Sequence, residues 1–227
     1  MQRGILVVLA VVLASAAAIA QSSKAATYIT DEEIKAVNAT PGVDRTIRVV
    51  DIGNENFAVG VIHRGATGAA RGAAPAAGGG AGRGAAGGGA AAAGGARGAA
   101  PAAEPCGEQA STPPAGATAG GIAHDSQTEG YIIISGGGTL VTGGRIVNGR
   151  KSAPDAAVTR ELNGPSCSGQ IVGDDVVKRV VKTGDIIIIP ARVPHGWIDI
   201  TDHVDYLSLR PSDHVLQAGY VHPAIKK

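Results

Sequence analysis

Two short segments of this 227-residue chain bring together residue types and spacings that could carry chemistry. One reads Gly121-Ile122-Ala123-His124-Asp125-Ser126-Gln127-Thr128-Glu129-Gly130-Tyr131. The other reads Gly184-Asp185, four isoleucines, then Pro190-Ala191-Arg192-Val193-Pro194-His195. Imidazoles and carboxylates are the groups that hold transition metals and move protons near neutral pH. His124 and Glu129 are an odd number of positions apart, so on one ideal strand they face opposite ways. Asp125-Ser126-Gln127 is suitable material for a turn between them. Beyond that turn, Glu129, Tyr131 and Ile133 share one face by the period of two. A carboxylate on the face of Ile133 is costly unless it is paired or coordinated, which favours a ligand role for Glu129.

The elements that must position these groups read as strands. Thr46–Asp51 and Phe57–Arg64 precede the first segment. Tyr131–Ser135, Thr139–Thr142, Val176–Val181, Asp185–Ile189, His195–Ile200 and Val204–Leu209 lie within or beyond it. They are short, β-branched and separated by Gly, Pro or Asp, the signature of an all-β sandwich or barrel rather than alternating β and α units. Thr30-Asp31-Glu32-Glu33 predicts a capped helix to about Val37, stopped near Pro41-Gly42. In Phe57–Arg64, the residues Phe57, Val59, Val61 and His63 share a face, so His63 is expected to point inward. It is read either as a further metal ligand or as a rim histidine bonded to a carbonyl.

Two stretches stand outside the domain. Residues 1–20, a basic start followed by the apolar run Ile5–Ala20, read as an export signal closing on Ala18-Ile19-Ala20. That run is shorter than the ~20 residues needed to span a bilayer. Residues 65–120 read as a disordered insertion. Ala66–Ala103 contains only Ala, Gly, Arg, Pro and one Thr, with nothing large enough to bury. The remaining divisions are 21–64, a helix and first strands; 121–210, the barrel core; and 211–227, a tail. A formal net charge of +1 gives no reason to expect a nucleic-acid partner. Two cysteines exclude a disulfide-dense scaffold and a Cys₄ metal site. In an oxidising compartment Cys106 and Cys167, both outside the predicted strands, are expected to form a disulfide.

Both segments resemble the two conserved motifs of the cupin superfamily. His124, Glu129 and Gly136 match the spacing of the first motif, and Gly184, Pro190 and His195 match the second. The resemblance implies a double-stranded β-helix, a jelly-roll-like barrel, with a site in its mouth. It implies that His124, Glu129 and His195 are metal ligands, with His63 a possible fourth. It departs from the family pattern at three places. Ile122 stands where a second histidine is usual, Arg192 where the Pro-x-Gly glycine is usual, and Asp199 where an Asn is usual. The surviving set is a two-His, one-carboxylate site suited to one divalent Fe, Mn, Cu, Ni or Zn ion.

Ile122 and Trp197, each two residues from one of these histidines, are the pocket-lining candidates, with plain core packing the stronger reading for Trp197. Glu129 and Tyr131 are the candidates for proton transfer. His203, His214 and His222 are read as solvated, and Asp205 and Arg210 as lying on an exposed sheet edge. The expected protein is an exported, periplasmic or secreted bacterial homodimer that binds a small molecule and has no membrane span after signal cleavage. Its leading functional reading is a metal-dependent enzyme, of oxidoreductase or isomerase type, acting on a sugar or aromatic metabolite. A non-catalytic binding module and a structural envelope protein are the alternatives.

Overall fold

The computed structural model describes residues 26–67, 103–212 and 214–225. The expected signal at 1–20 and most of the Ala/Gly tract lie outside the described residues. Helix α1 (Asp31–Asn38) is followed by β1 (Asp44–Asp51), β2 (Asn56–Gly65), β3 (Pro105–Cys106), β4 (Gly121–His124), β5 (Glu129–Thr142) and β6 (Arg145–Lys151). A π-helical turn (Thr159–Asn163) then leads to β7 (Ser166–Val172), β8 (Val177–Lys182), β9 (Ile186–Ile189), β10 (His195–Ile198) and β11 (His203–Pro211).

The organising element is β5, which the sequence pattern divides in two but the structure keeps whole. Its first half lies between β11 and β9, and its second half between β10 and β8. It therefore belongs to both sheets: β1-β2-β11-β5-β9, and β3-β6-β7-β4-β10-β5-β8. The strand turns from one sheet to the other around Gly136, whose φ is +66°. A Cβ there would stand 2.0 Å from the carbonyl oxygen of His203. Any larger residue would push β11 away.

Three apolar clusters follow from this arrangement. The barrel interior holds Ile62, Tyr131, Ile133, Leu140, Val181, Ile189, Val204 and Tyr206. A second cluster lies on the outer face of the first sheet, where Val37 of α1 and Ile225 cover Ile47 and Val61. A third backs the second sheet around Val141, Ile146, Cys167 and Ile171. Helix α1 carries the expected capping box: Thr30 Oγ1 accepts from the Glu33 amide, and Glu33 accepts from the Thr30 amide. Residues 214–225 return to the body, and Leu216 joins the interior.

Several expectations need correction. Residues 103–120 are not all loop: β3 pairs with β6, and Thr118 is tied to Ile171 through both its hydroxyl and its amide. Cys106 and Cys167 do form a disulfide, with Cα atoms 6.0 Å apart, but they sit within strands β3 and β7. Strand β11 is central rather than an edge, since β2 and β5 flank it. Arg210 is consequently buried, at 4% exposure.

Candidate metal centre

Strand β4 ends at His124 and β5 begins at Glu129, so the intervening turn does bring both side chains to the barrel interior. His195 opens β10 directly opposite Ile122 of β4. One coordinating atom from each of His124, Glu129 and His195 lies within 4.8 Å of the others. Glu129 Oε2 is 3.2 Å from His124 Nε2 and 3.1 Å from His195 Nε2. All three residues are nearly inaccessible, at 2%, 1% and 3% exposure.

Hydrogen bonds behind the rings fix the tautomers. His195 Nδ1 is 3.0 Å from the Val193 carbonyl, which can only accept, so the proton sits on Nδ1. Its Nε2 is then a bare lone pair, buried and without a hydrogen-bond partner. His124 Nδ1 is 2.8 Å from Ser166 Oγ, which gives its own proton to the carbonyls of Asn163 or Gly164. That leaves His124 Nε2 as a lone pair as well. Burial, then the charge of Arg210, lower the His124 pKa to about 4, so the ring is neutral at neutral pH. Two lone pairs thus face one carboxylate oxygen. The His124 lone pair is met by Arg210 NH1, but that of His195 is unpartnered; a cation bound among these atoms would relieve the repulsion, and the donor set, spacing and outer hydrogen bonds fit a transition metal.

Arg210 is the residue the sequence reading misplaced. Its NH2 donates to Glu129 Oε1, its Nε donates to Ser208 Oγ at 2.7 Å, and its NH1 donates to His124 Nε2 at 3.0 Å. Ser208 in turn donates to Glu129 Oε1 at 2.7 Å. Burial by itself would raise the Glu129 carboxyl. The Arg210 charge outweighs it and holds the group well below the usual carboxylate range. The alternation of Val204, Tyr206, Ser208 and Arg210 along one face was the available signal.

The remaining predicted residues divide cleanly. Tyr131 is buried, and its hydroxyl donates to Glu129 Oε2 at 3.3 Å. Burial, then the Glu129 charge, push that hydroxyl well above its ordinary pKa. Trp197 stacks on Tyr131, with ring centroids 6.3 Å apart. Ile122 lies half-buried beside His195. Arg192 and Asp199, the two motif departures on the backbone, both adopt positive φ, at 67° and 53°. The chain keeps the backbone shape that glycine would give most easily.

His63 is a correction. It does share a face with Val59 and Val61, but that face is the outer one beneath α1, so His63 points away from the interior. It is exposed and bonds Asp205 Oδ1 at 2.6 Å. Asp205 also accepts from Ser135 and is not a free edge residue. His203 is bonded to Asp202 and Ser135 rather than merely solvated, while His214 is exposed. Two surface clefts, of about 470 and 460 Å³, are lined by none of the metal-centre residues.

No protein-family model matches the chain, and no curated protein matches it. Solved structures similar to it include an oxalate oxidase in complex with glycolate (10% identity, TM-score 0.33, covering 78% of this chain and 54% of that one). Another is an oxalate oxidase with the substrate analogue glycolate (10%, 0.33, 86% and 58%). A third is Peruvianin-I, a cysteine peptidase from Thevetia peruviana latex (10%, 0.31, 82% and 76%). The chain spans little over half the length of those two oxalate oxidase chains. Its class, an antiparallel two-sheet barrel of jelly-roll kind, rests on the strand order and register given above.

Proposed function

We propose that this is an exported metal-binding cupin, and that it acts as a metal-dependent enzyme on a small polar molecule. One observation carries the reading: the buried, unpartnered Nε2 of His195 faces Glu129 Oε2, with the His124 lone pair on the same oxygen. A bound divalent ion would supply Lewis acidity or redox chemistry there. The chain's own groups would set the stage for it. Ser166 and the Val193 carbonyl hold the imidazoles in the ligating tautomer. Arg210 and Ser208 occupy Glu129 Oε1, so that Oε2 alone is offered. Tyr131, with its proton firmly held, is the donor placed beside Oε2.

Export is supported by the Cys106–Cys167 disulfide, since such bonds persist in oxidising compartments. Pairing of two copies is supported by Val180, Ile186 and Ile188, which are 71–77% exposed on the edge strands β8 and β9. Among the described residues no helix is long and apolar enough to cross a membrane.

The test is elemental analysis of protein purified from its native compartment, beside His195→Ala prepared identically. About one equivalent of metal in the wild type and little in the variant is expected. Equal metal in both would show that His195 is not a ligand and overturn the reading, leaving the barrel interior as a binding module with Arg210 as its resident cation.

A further inference from the structure

Resting on the reading of the site as a metal centre, the geometry points to Arg210 as the residue that selects its ligand, and to a small carboxylate anion as that ligand. Arg210 is held by two of its three nitrogens. NH2 binds Glu129 Oε1, and Nε binds Ser208 Oγ. The third, NH1, donates to His124 Nε2 at 3.0 Å. That lone pair is the one a metal must use. Metal and NH1 cannot both have it, so metal binding leaves NH1 without its acceptor while the rest of the guanidinium stays tethered. A buried N–H without an acceptor is costly, more so on a charged group. An acceptor must therefore arrive with the metal.

Charge makes the same demand. Glu129 and Arg210 cancel, with side chains 1% and 5% exposed. The two imidazoles are neutral in the ligating state, and Glu129 is the one carboxylate touching the cluster. A divalent ion then adds two positive charges among side chains almost closed to solvent, where uncompensated charge is heavily penalised. A carboxylate answers both demands, because its two oxygens can serve the metal and NH1 together, and arginine recognises carboxylates well. A neutral sugar could offer NH1 an acceptor but would leave the added charge unanswered.

The experiment measures affinity, not turnover. Apo-protein is titrated with Co²⁺ against a competing chelator in buffers containing acetate, its neutral isostere acetamide, or neither. Acetate complexation in solution is subtracted. Binding is followed by the Co²⁺ absorption and by fluorescence of Trp197, the only tryptophan, which stacks on Tyr131. Acetate is expected to raise Co²⁺ affinity at least tenfold, and acetamide to leave it unchanged. Arg210→Lys, which keeps the charge but not the three-point fork, should retain Co²⁺ and show less than a threefold acetate effect. Equal affinity in acetate and acetamide, or full enhancement in Arg210→Lys, would overturn the inference while leaving the metal reading standing. No Co²⁺ uptake in any buffer would overturn both. The wild-type comparison decides the matter even if the variant does not fold.

Discussion

Two pairs of histidines contact carboxylates in this protein, and only one pair converges on a single carboxylate to form a candidate site. Inside the barrel, His124 and His195 turn their Nε2 atoms onto a single oxygen of Glu129, with ring centroids 5.3 Å apart. Outside, His63 and His203 stack at 6.1 Å, but their Nδ1 atoms go to different carboxylates, Asp205 and Asp202. Residue types and ring spacing are similar. The differences are convergence and burial: His63 is 46% exposed and its partner is within reach of water. Charges there are screened, whereas inside the barrel each must be answered by another charge or by an ion.

The hardest blow to that contrast would be struck at the two carboxylates. Glu129→Gln should strand Arg210 as an uncompensated buried charge and cost about 3–5 kcal/mol, measured by urea unfolding. Asp205→Asn should cost no more than about 1 kcal/mol. Similar losses in the two variants would mean that the outer cluster is as desolvated as the inner one. Next in size is the response of apo-protein to acid. His124 titrates at about 4 in the fold against 6.5 ordinarily, so its contribution is complete above pH 6.5 and is lost as pH falls toward 4. That amounts to roughly 3 kcal/mol over the window. Glu129, also depressed, adds a loss in the same direction below about pH 4.5. Urea midpoints between pH 7 and 4 should therefore fall steeply, and less steeply in His124→Gln; an unchanged slope in that variant would assign the acid sensitivity elsewhere. Smallest is His63→Ala, expected to shift stability by less than about 0.5 kcal/mol and to leave bound metal untouched. Lost metal in that variant would return His63 to the site.

What the sequence revealed and concealed follows the same physics. His124, Glu129 and His195 were legible as a candidate ligand set through their resemblance to two sequence motifs, and the turn material at Asp125-Ser126-Gln127 and the face shared by Glu129, Tyr131 and Ile133 agreed with it in part. His63 was assigned to the correct face but to the wrong side of the sheet. Alternation finds the apolar face, but here both faces are covered, one by the barrel and one by α1. Arg210 was hidden for a related reason. Whether a strand is an edge or a centre depends on its neighbours, and β11 is central only because β2, from far away in sequence, lies against it. Strands β6 and β7 were missed because Arg145–Lys151 and Ser166–Val172 are rich in Arg, Asn, Gly and Ser, poor strand formers held here by pairing with each other.

The place of β11 also imposes a timetable. In the first sheet it separates β2 from β5, so β1 and β2, the earliest strands among the described residues, cannot join β5 until nearly the last strand emerges. The same strand carries Ser208 and Arg210. Until it docks, Glu129 has no counter-ion and two long strands stand with open edges. Closure of the barrel and completion of the candidate metal centre thus depend on the same strand. Loss of β11 alone would leave a chain with a misplaced charge at its heart and unpaired edges exposed to other chains.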